Sequence, residues 1–182
     1  MSTKDNMQKI VSEVQELLAL VDTATIENLI KEIEVADRIY LGGAGRSLLV
    51  IKSFAMRLMH LGYQAYMIGE TTVPAAEAGD LIIFASGSGE TGALKTMAAK
   101  AKEIGATIAL ITYRPQSTIA KLADLVLEIP VETIKDRFQP TGSSFEQSML
   151  ILFDAIFLSI YQGQKQNLNI DEFIKLRHAN LE

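Results

Sequence analysis

The chain has 182 residues, 48% of them hydrophobic and 21% charged, an ordinary globular composition that excludes a disordered or collagen-like polymer. With no cysteine, there is no disulfide, thiolate metal site or cysteine nucleophile, and a cytoplasmic location is expected. Lys and Arg number 17 against 22 Asp and Glu, a net charge of −5, which argues against a nucleic-acid partner while leaving a small anion within reach of local groups.

No stretch reaches the roughly 18 apolar residues that cross a bilayer, and the N-terminal MSTKDNMQKI has no apolar signal core. A soluble, unprocessed chain without a membrane partner is expected. The richest apolar stretch, Met149 to Leu158, is interrupted by Asp154 and reads as a buried helix. A chain of this length buries roughly 70% of its unfolded surface, enough for one domain over residues 1–182 without metal or disulfide staples.

Ile10, Val14, Leu17, Leu18 and Val21, then Ile26, Leu29, Ile30 and Ile33, recur at helical spacing on either side of an Asp22-Thr23 turn. They predict two amphipathic helices over residues 1–35 that pack on the rest of the domain. Beyond them, short apolar runs alternate with helical stretches, as in parallel βαβ units. Strands are expected at Arg38–Gly42, Gln64–Ile68, Leu81–Ser86, Thr107–Thr112 and Leu125–Ile129. They are mostly apolar on both faces, as a sheet covered on both sides requires. Helices are expected at Ser47–Leu61, closed by Gly62, at Thr91–Ile104, closed by Gly105, at Ser117–Leu122 and from about Ser143 to Tyr161, with a polar tail after them. The fold class is α/β: a three-layer sandwich whose five-stranded parallel sheet takes the flavodoxin-like order 2-1-3-4-5. The long helix is apolar nearly all round, unlike the surface helix of a monomer, and predicts a homo-oligomer.

Two glycine-rich loops carry the chemistry. Gly42-Gly43-Ala44-Gly45-Arg46-Ser47 follows the first strand, and Ser86-Gly87-Ser88-Gly89-Glu90-Thr91-Gly92 follows the third. Glycine lets the backbone approach a ligand closely, and the amides at a helix start, with the positive dipole end behind them, suit a phosphate. In the order 2-1-3-4-5 ligands lie between strands one and three, so the two loops face each other. Neither loop is of the nucleoside triphosphatase type. Gly87, Gly89 and Gly92 match G-x-G-x-x-G, but Thr112, Tyr113 and Arg114 stand where a dinucleotide fold carries its acid, although Arg114 suits a 2′-phosphate. Hydroxyls at Ser47, Ser86, Ser88 and Thr91 favour a sugar phosphate, with helix capping as the bland alternative. The expected binding residues are Gly45, Arg46, Ser47, Ser86, Gly87, Ser88, Gly89, Glu90 and Thr91, with the Glu90 backbone N–H rather than its carboxylate serving the phosphate.

These motifs, together with Lys52 to His60, Gln139-Pro140, Gly142-Ser143, Phe145-Glu146-Gln147 and the ending His178-Ala179-Asn180-Leu181-Glu182, resemble 6-phospho-3-hexuloisomerase. This is a sugar isomerase (SIS) domain family of the ribulose monophosphate pathway of formaldehyde fixation. The resemblance runs from the first strand to the last residue. It implies a tetramer, no metal or organic cofactor, and interconversion of 3-hexulose 6-phosphate with fructose 6-phosphate. Leu48 departs from it where glycine is expected, and Thr141 where methionine is expected.

Moving a carbonyl between C3 and C2 needs one group that takes a proton from C2 and returns one at C3, a task for a single carboxylate. The resemblance assigns it to Glu146. Read from residues alone, Ser143-x-x-Glu146 is first a capping box. His60 stands in the last turn before Gly62, where an imidazole bonds terminal carbonyls. The resemblance makes it an acid/base group, one that could reach a neighbouring subunit's site, and makes His178 a contributor across an interface; otherwise His178 is an exposed tail residue. Arg46 meets a sugar oxygen, pairs with a carboxylate such as Glu146, or ties its loop to a helix. Lys52 and Arg57 read as solvated or interface charges. Three function classes stay open: a cofactor-free ketose phosphate isomerase, with an aldose–ketose isomerase as its closest rival, a phosphosugar-sensing module, and a dinucleotide-binding protein. The last needs a second domain, for which there is no room.

Overall fold

The computed structural model describes residues 2–164 and 167–181, so Glu182 of the C-terminal ending lies outside the described residues. Helices α1 (Thr3–Ala19) and α2 (Thr23–Val35) precede β1 (Ile39–Gly43), α3 (Gly45–Leu61), β2 (Ala65–Met67), β3 (Leu81–Ala85), α4 (Gly92–Ile104), β4 (Thr107–Thr112) and β5 (Leu125–Glu128). A 3-10 turn at Val131–Thr133 then leads to α5 (Thr141–Gly163) and α6 (Ile170–Lys175). The five strands form one parallel sheet in the order β2-β1-β3-β4-β5, the expected topology.

Local chemistry explains most element ends. Ser2 and Asp5 form a reciprocal capping box on α1, and the Asp22 carboxylate accepts from the Ala24 and Thr25 amides at the start of α2. Gly62 (φ 99°) and Gly105 (φ 83°) close α3 and α4 in the left-handed region that a side chain would disfavour.

The sheet divides the core by residue parity. Ile39, Leu41, Ile83, Ile111 and Leu127 point to the side covered by α1, α2, α3 and α5. Tyr40, Ile82, Phe84, Ile108 and Leu110 point to the side covered by α4. Leu17, Leu29 and Ile33 of the first two helices join the former cluster. Phe54 of α3 and Phe153 of α5 stack there with ring centroids 4.2 Å apart.

Four expectations change. By length and composition alone, 23-residue α5 is apolar enough to cross a membrane, contrary to the sequence reading, yet 56% of its most apolar window is buried inside the structure, where it serves as a core helix. Ser117–Leu122 is a series of turns and not a helix. Two of its amides are taken by tertiary partners: Ile119 N–H donates to Gly89 O (3.2 Å) and Thr118 N–H to the Glu90 carboxylate (2.7 Å). The polar tail contains α6, capped by Asn169 and anchored by buried Phe173 against Tyr161. Finally, α5 starts at Thr141 after Pro140, so Ser143 is already helical and the anticipated capping box with Glu146 does not form.

His60 sits in the last turn of α3, 1% exposed, with Nε2 3.2 Å from His178 Nδ1. Its Nδ1 has no hydrogen-bond partner among the described residues. Arg177 donates to the His60 carbonyl at 3.3 Å, so the C-terminal segment is tied across the end of α3. Burial first, then the Arg57 and His178 charges, hold the His60 pKa below its ordinary 6.5. The unfolded chain therefore binds this proton more readily than the folded one, and stability is full above 6.5 and declines as pH falls from 6.5 toward the lowered value. Urea unfolding across this range should show that decline, and His60→Gln should flatten it; an unchanged slope would refute the assignment.

Candidate active site

The pairing of β1 with β3 sets Gly42 beside Phe84 and Gly43 beside Ala85, so both glycine loops leave the same sheet edge as neighbours. This is the switch point, where strand order reverses and doubly wound folds bind ligands. In the first loop a Cβ on Gly43 would lie 3.0 Å from the Leu48 Cα, so glycine is needed for α3 to approach β1 this closely. Leu48 itself packs against the core. Ala44 precedes α3 without a side-chain cap, and Ser47 is buried within the first turn. The amides of that turn thus have no cap from the preceding side chain.

The second loop is wedged tightly. A Cβ on Gly87 would meet the Tyr113 ring at 2.4 Å, and Gly89, at φ +62°, would place one 1.9 Å from Ser117 Oγ. Thr112 Oγ1 donates to Gly87 O at 2.8 Å, and Gly89 N–H donates to Ser86 O at 3.1 Å. Ser86 Oγ and Thr91 Oγ1 lie 3.3 Å apart, so these two hydroxyls share one small region. Thr91 precedes α4 but makes no capping bond. The bland capping role is therefore absent at both Ser47 and Thr91.

Glu90 turns its carboxylate away from the loop. It accepts from Thr118 N–H (2.7 Å), Thr118 Oγ1 (2.9 Å) and Lys95 Nζ (3.3 Å). The Thr118 amide and hydroxyl hold this carboxyl below the ordinary glutamate range. Its N–H is directed at Ser88 Oγ, 3.2 Å away.

Glu146 comes from the second turn of α5 and pairs with Arg46 across 100 residues of sequence. Its side chain is 11% exposed, whereas that of Arg46 is 66% exposed, so the carboxylate is sheltered and the guanidinium reaches solvent. Gly142 leaves room beside the carboxylate: a Cβ there would stand 4.0 Å from Glu146 Oε1. Phe145 meets Tyr113 edge-on at 5.5 Å, which ties the start of α5 to the second loop. Thr141 Oγ1 accepts from Arg137 at 3.1 Å. Both loops and the start of α5 therefore converge. A cleft of about 510 Å³ opens beside the second loop, bordered by Ser88, Tyr113, Arg114 and Ser117. Arg114, the residue suited to a 2′-phosphate, is instead paired with Glu132 at 3.0 Å.

His60 and His178 meet each other but not this group. His60 lies fourteen positions after Arg46 along α3, about 21 Å at the helical rise. Among the described residues, no three His, Asp or Glu side chains are grouped to hold a metal ion. Sequence reasoning missed two contributors: Thr118, which restrains Glu90, and Glu13 of α1, whose carboxylate accepts from Ser144 at 2.5 Å. Glu13 left one signal, a charge beside the apolar stripe Ile10, Val14 and Leu17.

Residues 32–159 match the SIS domain family. The chain is 40% identical over 189 aligned residues to the 3-hexulose-6-phosphate isomerase of Bacillus subtilis (strain 168), covering all of both chains. A crystal structure from Methanococcus jannaschii, whose inferred molecular function is 3-hexulose-6-phosphate isomerase, superposes with a TM-score of 0.86 at 34% identity, covering 98% of this chain and 99% of that one. The Vibrio vulnificus NanR protein, solved in complex with ManNAc-6P, shares the fold, with a TM-score of 0.76 at 20% identity over 95% of this chain and 66% of that one. The chain belongs to the SIS domain family and, within it, to the 3-hexulose-6-phosphate isomerases, the family its glycine loops and Phe145-Glu146-Gln147 resemble.

Proposed function

We propose that the protein interconverts D-arabino-3-hexulose 6-phosphate and fructose 6-phosphate through a 2,3-enediol or enediolate, as a step of the ribulose monophosphate pathway of formaldehyde fixation. The observation that carries this reading is the Arg46–Glu146 pair, which places a sheltered carboxylate where both glycine loops converge.

The phosphate is held by the amides opening α3 and α4 and by the Ser47, Ser86, Ser88 and Thr91 hydroxyls, with open space at Gly45 for close approach and with Gly87 and Gly89 letting the second loop pack against Tyr113 and Ser117. Glu146 takes the C2 proton, and the C–H electron pair becomes the C2–C3 double bond as negative charge develops on O3. Glu146 then returns a proton to C3 while the C2 hydroxyl proton passes to O3, which leaves a carbonyl at C2 and a hydroxyl at C3. Arg46 holds the carboxylate and offers its solvent-facing N–H groups to the developing oxyanion. The chemistry needs no organic cofactor.

In this reading exposed His178, backed by buried His60 through the Nε2–Nδ1 contact, serves ring opening or carbonyl polarisation in a neighbouring subunit's site. The exposed apolar residues Val11 of α1 and Leu150 and Ile151 of α5 line a groove of about 420 Å³, which supports a homo-oligomer, a tetramer in this reading. The location in this reading is cytoplasmic.

Glu146→Gln should lower turnover by about 10²–10⁴-fold and leave affinity for a phosphate ligand nearly unchanged; retained turnover would sink the base assignment. Fructose 6-phosphate incubated with enzyme in deuterated water should gain deuterium at C3 by NMR. Exchange confined to C1, or aldose products, would point to an aldose–ketose isomerase, and tight binding without exchange to a phosphosugar sensor.

A further inference from the structure

The helix that carries Glu146 is held at its start by a charge from another part of the chain. Glu13 of α1 is 7% exposed, and every donor to its carboxylate among the described residues comes from the segment leading into α5 or from its first turn. Phe138 N–H donates at 2.5 Å, Gln139 N–H at 3.3 Å, Gln139 Nε2 at 3.5 Å and Ser144 Oγ at 2.5 Å. No lysine or arginine forms an ion pair with Glu13 among the described residues, so neutral, directional hydrogen bonds compensate this buried charge. Burial pushes its carboxyl up, but the bonds from Ser144, Phe138 and Gln139 outweigh that and leave it below the ordinary glutamate value. Lys9, one turn earlier on α1, stands over the Phe138 ring at 5.2 Å. Gln139 Nε2 also donates to Gln147 Oε1 at 2.9 Å, which ties the same loop to the second turn of α5.

The geometry fixes more than the loop. Pro140 gives α5 no side-chain cap, so the helix depends on tertiary contacts to set its start. Ser144 and Glu146 are two residues apart, about 200° around the helix axis, so Glu13 and Arg46 grip nearly opposite faces of the same stretch. Two grips on opposite faces prevent the helix from rolling, and roll is the motion that would swing the Glu146 carboxylate away from a bound sugar. We propose that Glu13 is a positioning residue for the isomerase reaction, clamping Phe138, Gln139 and Ser144 so that Glu146 is aimed at the reacting carbons. This rests on the reading of Glu146 as the base.

The test uses the full chain with Glu13→Gln, Glu13→Asp and Ser144→Ala. Glutamine leaves one oxygen to accept where two served four donors, so Glu13→Gln should lower kcat for fructose 6-phosphate by about 10–100-fold, as for a misplaced catalytic group, with KM changed less than about 3-fold because the phosphate loops are untouched. Glu13→Asp should recover part of that loss. Hydrogen exchange at the amides of residues 138–144 should quicken in Glu13→Gln. In a Glu146→Asp background, Glu13→Gln should cost less than about 3-fold, since residues acting through one group are not additive. Should Glu13→Gln fail to fold, Ser144→Ala, which removes one donor and leaves the carboxylate, carries the same expectation at smaller size. An unchanged kcat, an equal rise in KM, or a full loss in the Glu146→Asp background would overturn the proposal. If Glu146→Gln retained turnover, the base reading would fall while the exchange data still reported whether the clamp exists.

Discussion

Parallel pairing of β1 with β3 is the constraint from which the rest of the site follows. Because these strands are sequence non-neighbours placed side by side, their following helices must pack on opposite faces of the sheet. The two glycine loops then leave a common edge side by side. Helix α5 closes the arrangement by lying across α3, with the Phe54–Phe153 stack fixing how closely the two can approach.

The charge balance takes on a physical meaning here. A chain with net charge −5 is a poor general attractor of anions, yet the loops offer amide dipoles and hydroxyls where cationic side chains would otherwise be needed. Negative groups nearby are restrained individually: Glu90 by Thr118 and Lys95, and Glu146 by Arg46. Such groups contribute little repulsion toward a phosphate because their charge is directed elsewhere or neutralised at short range.

Much of the fold is readable in the sequence because the signals are local. Strands apolar on both faces, glycines at helix ends and the spacing of Leu29 and Ile33 all report on their own neighbourhoods. The turns at Ser117–Leu122 escape such reading because their outcome depends on Gly89 and Glu90, distant in sequence, whereas α5 starts two residues early because the Pro140 carbonyl takes the Ser143 and Ser144 amides. Helix α6 was obscured by its brevity, although Ile170, Phe173 and Ile174 have helical spacing behind an Asn169 cap. The Arg46–Glu146 contact was only one option among several, since no periodicity links residues 100 positions apart. Separation of the histidines from that pair emerges only from the length of α3.

Helix α1 contributes no strand, no glycine loop and none of the residues bordering the cleft, and it lies before residue 32, where the match to the shared domain begins. One of its faces nevertheless presents Val11 and Val14 to the apolar groove, while Glu13 grips the segment entering α5. A rigid rod engaged on two sides transmits force between them. One helix outside the common domain thus both borders the apolar groove and holds the start of the carboxylate-bearing helix.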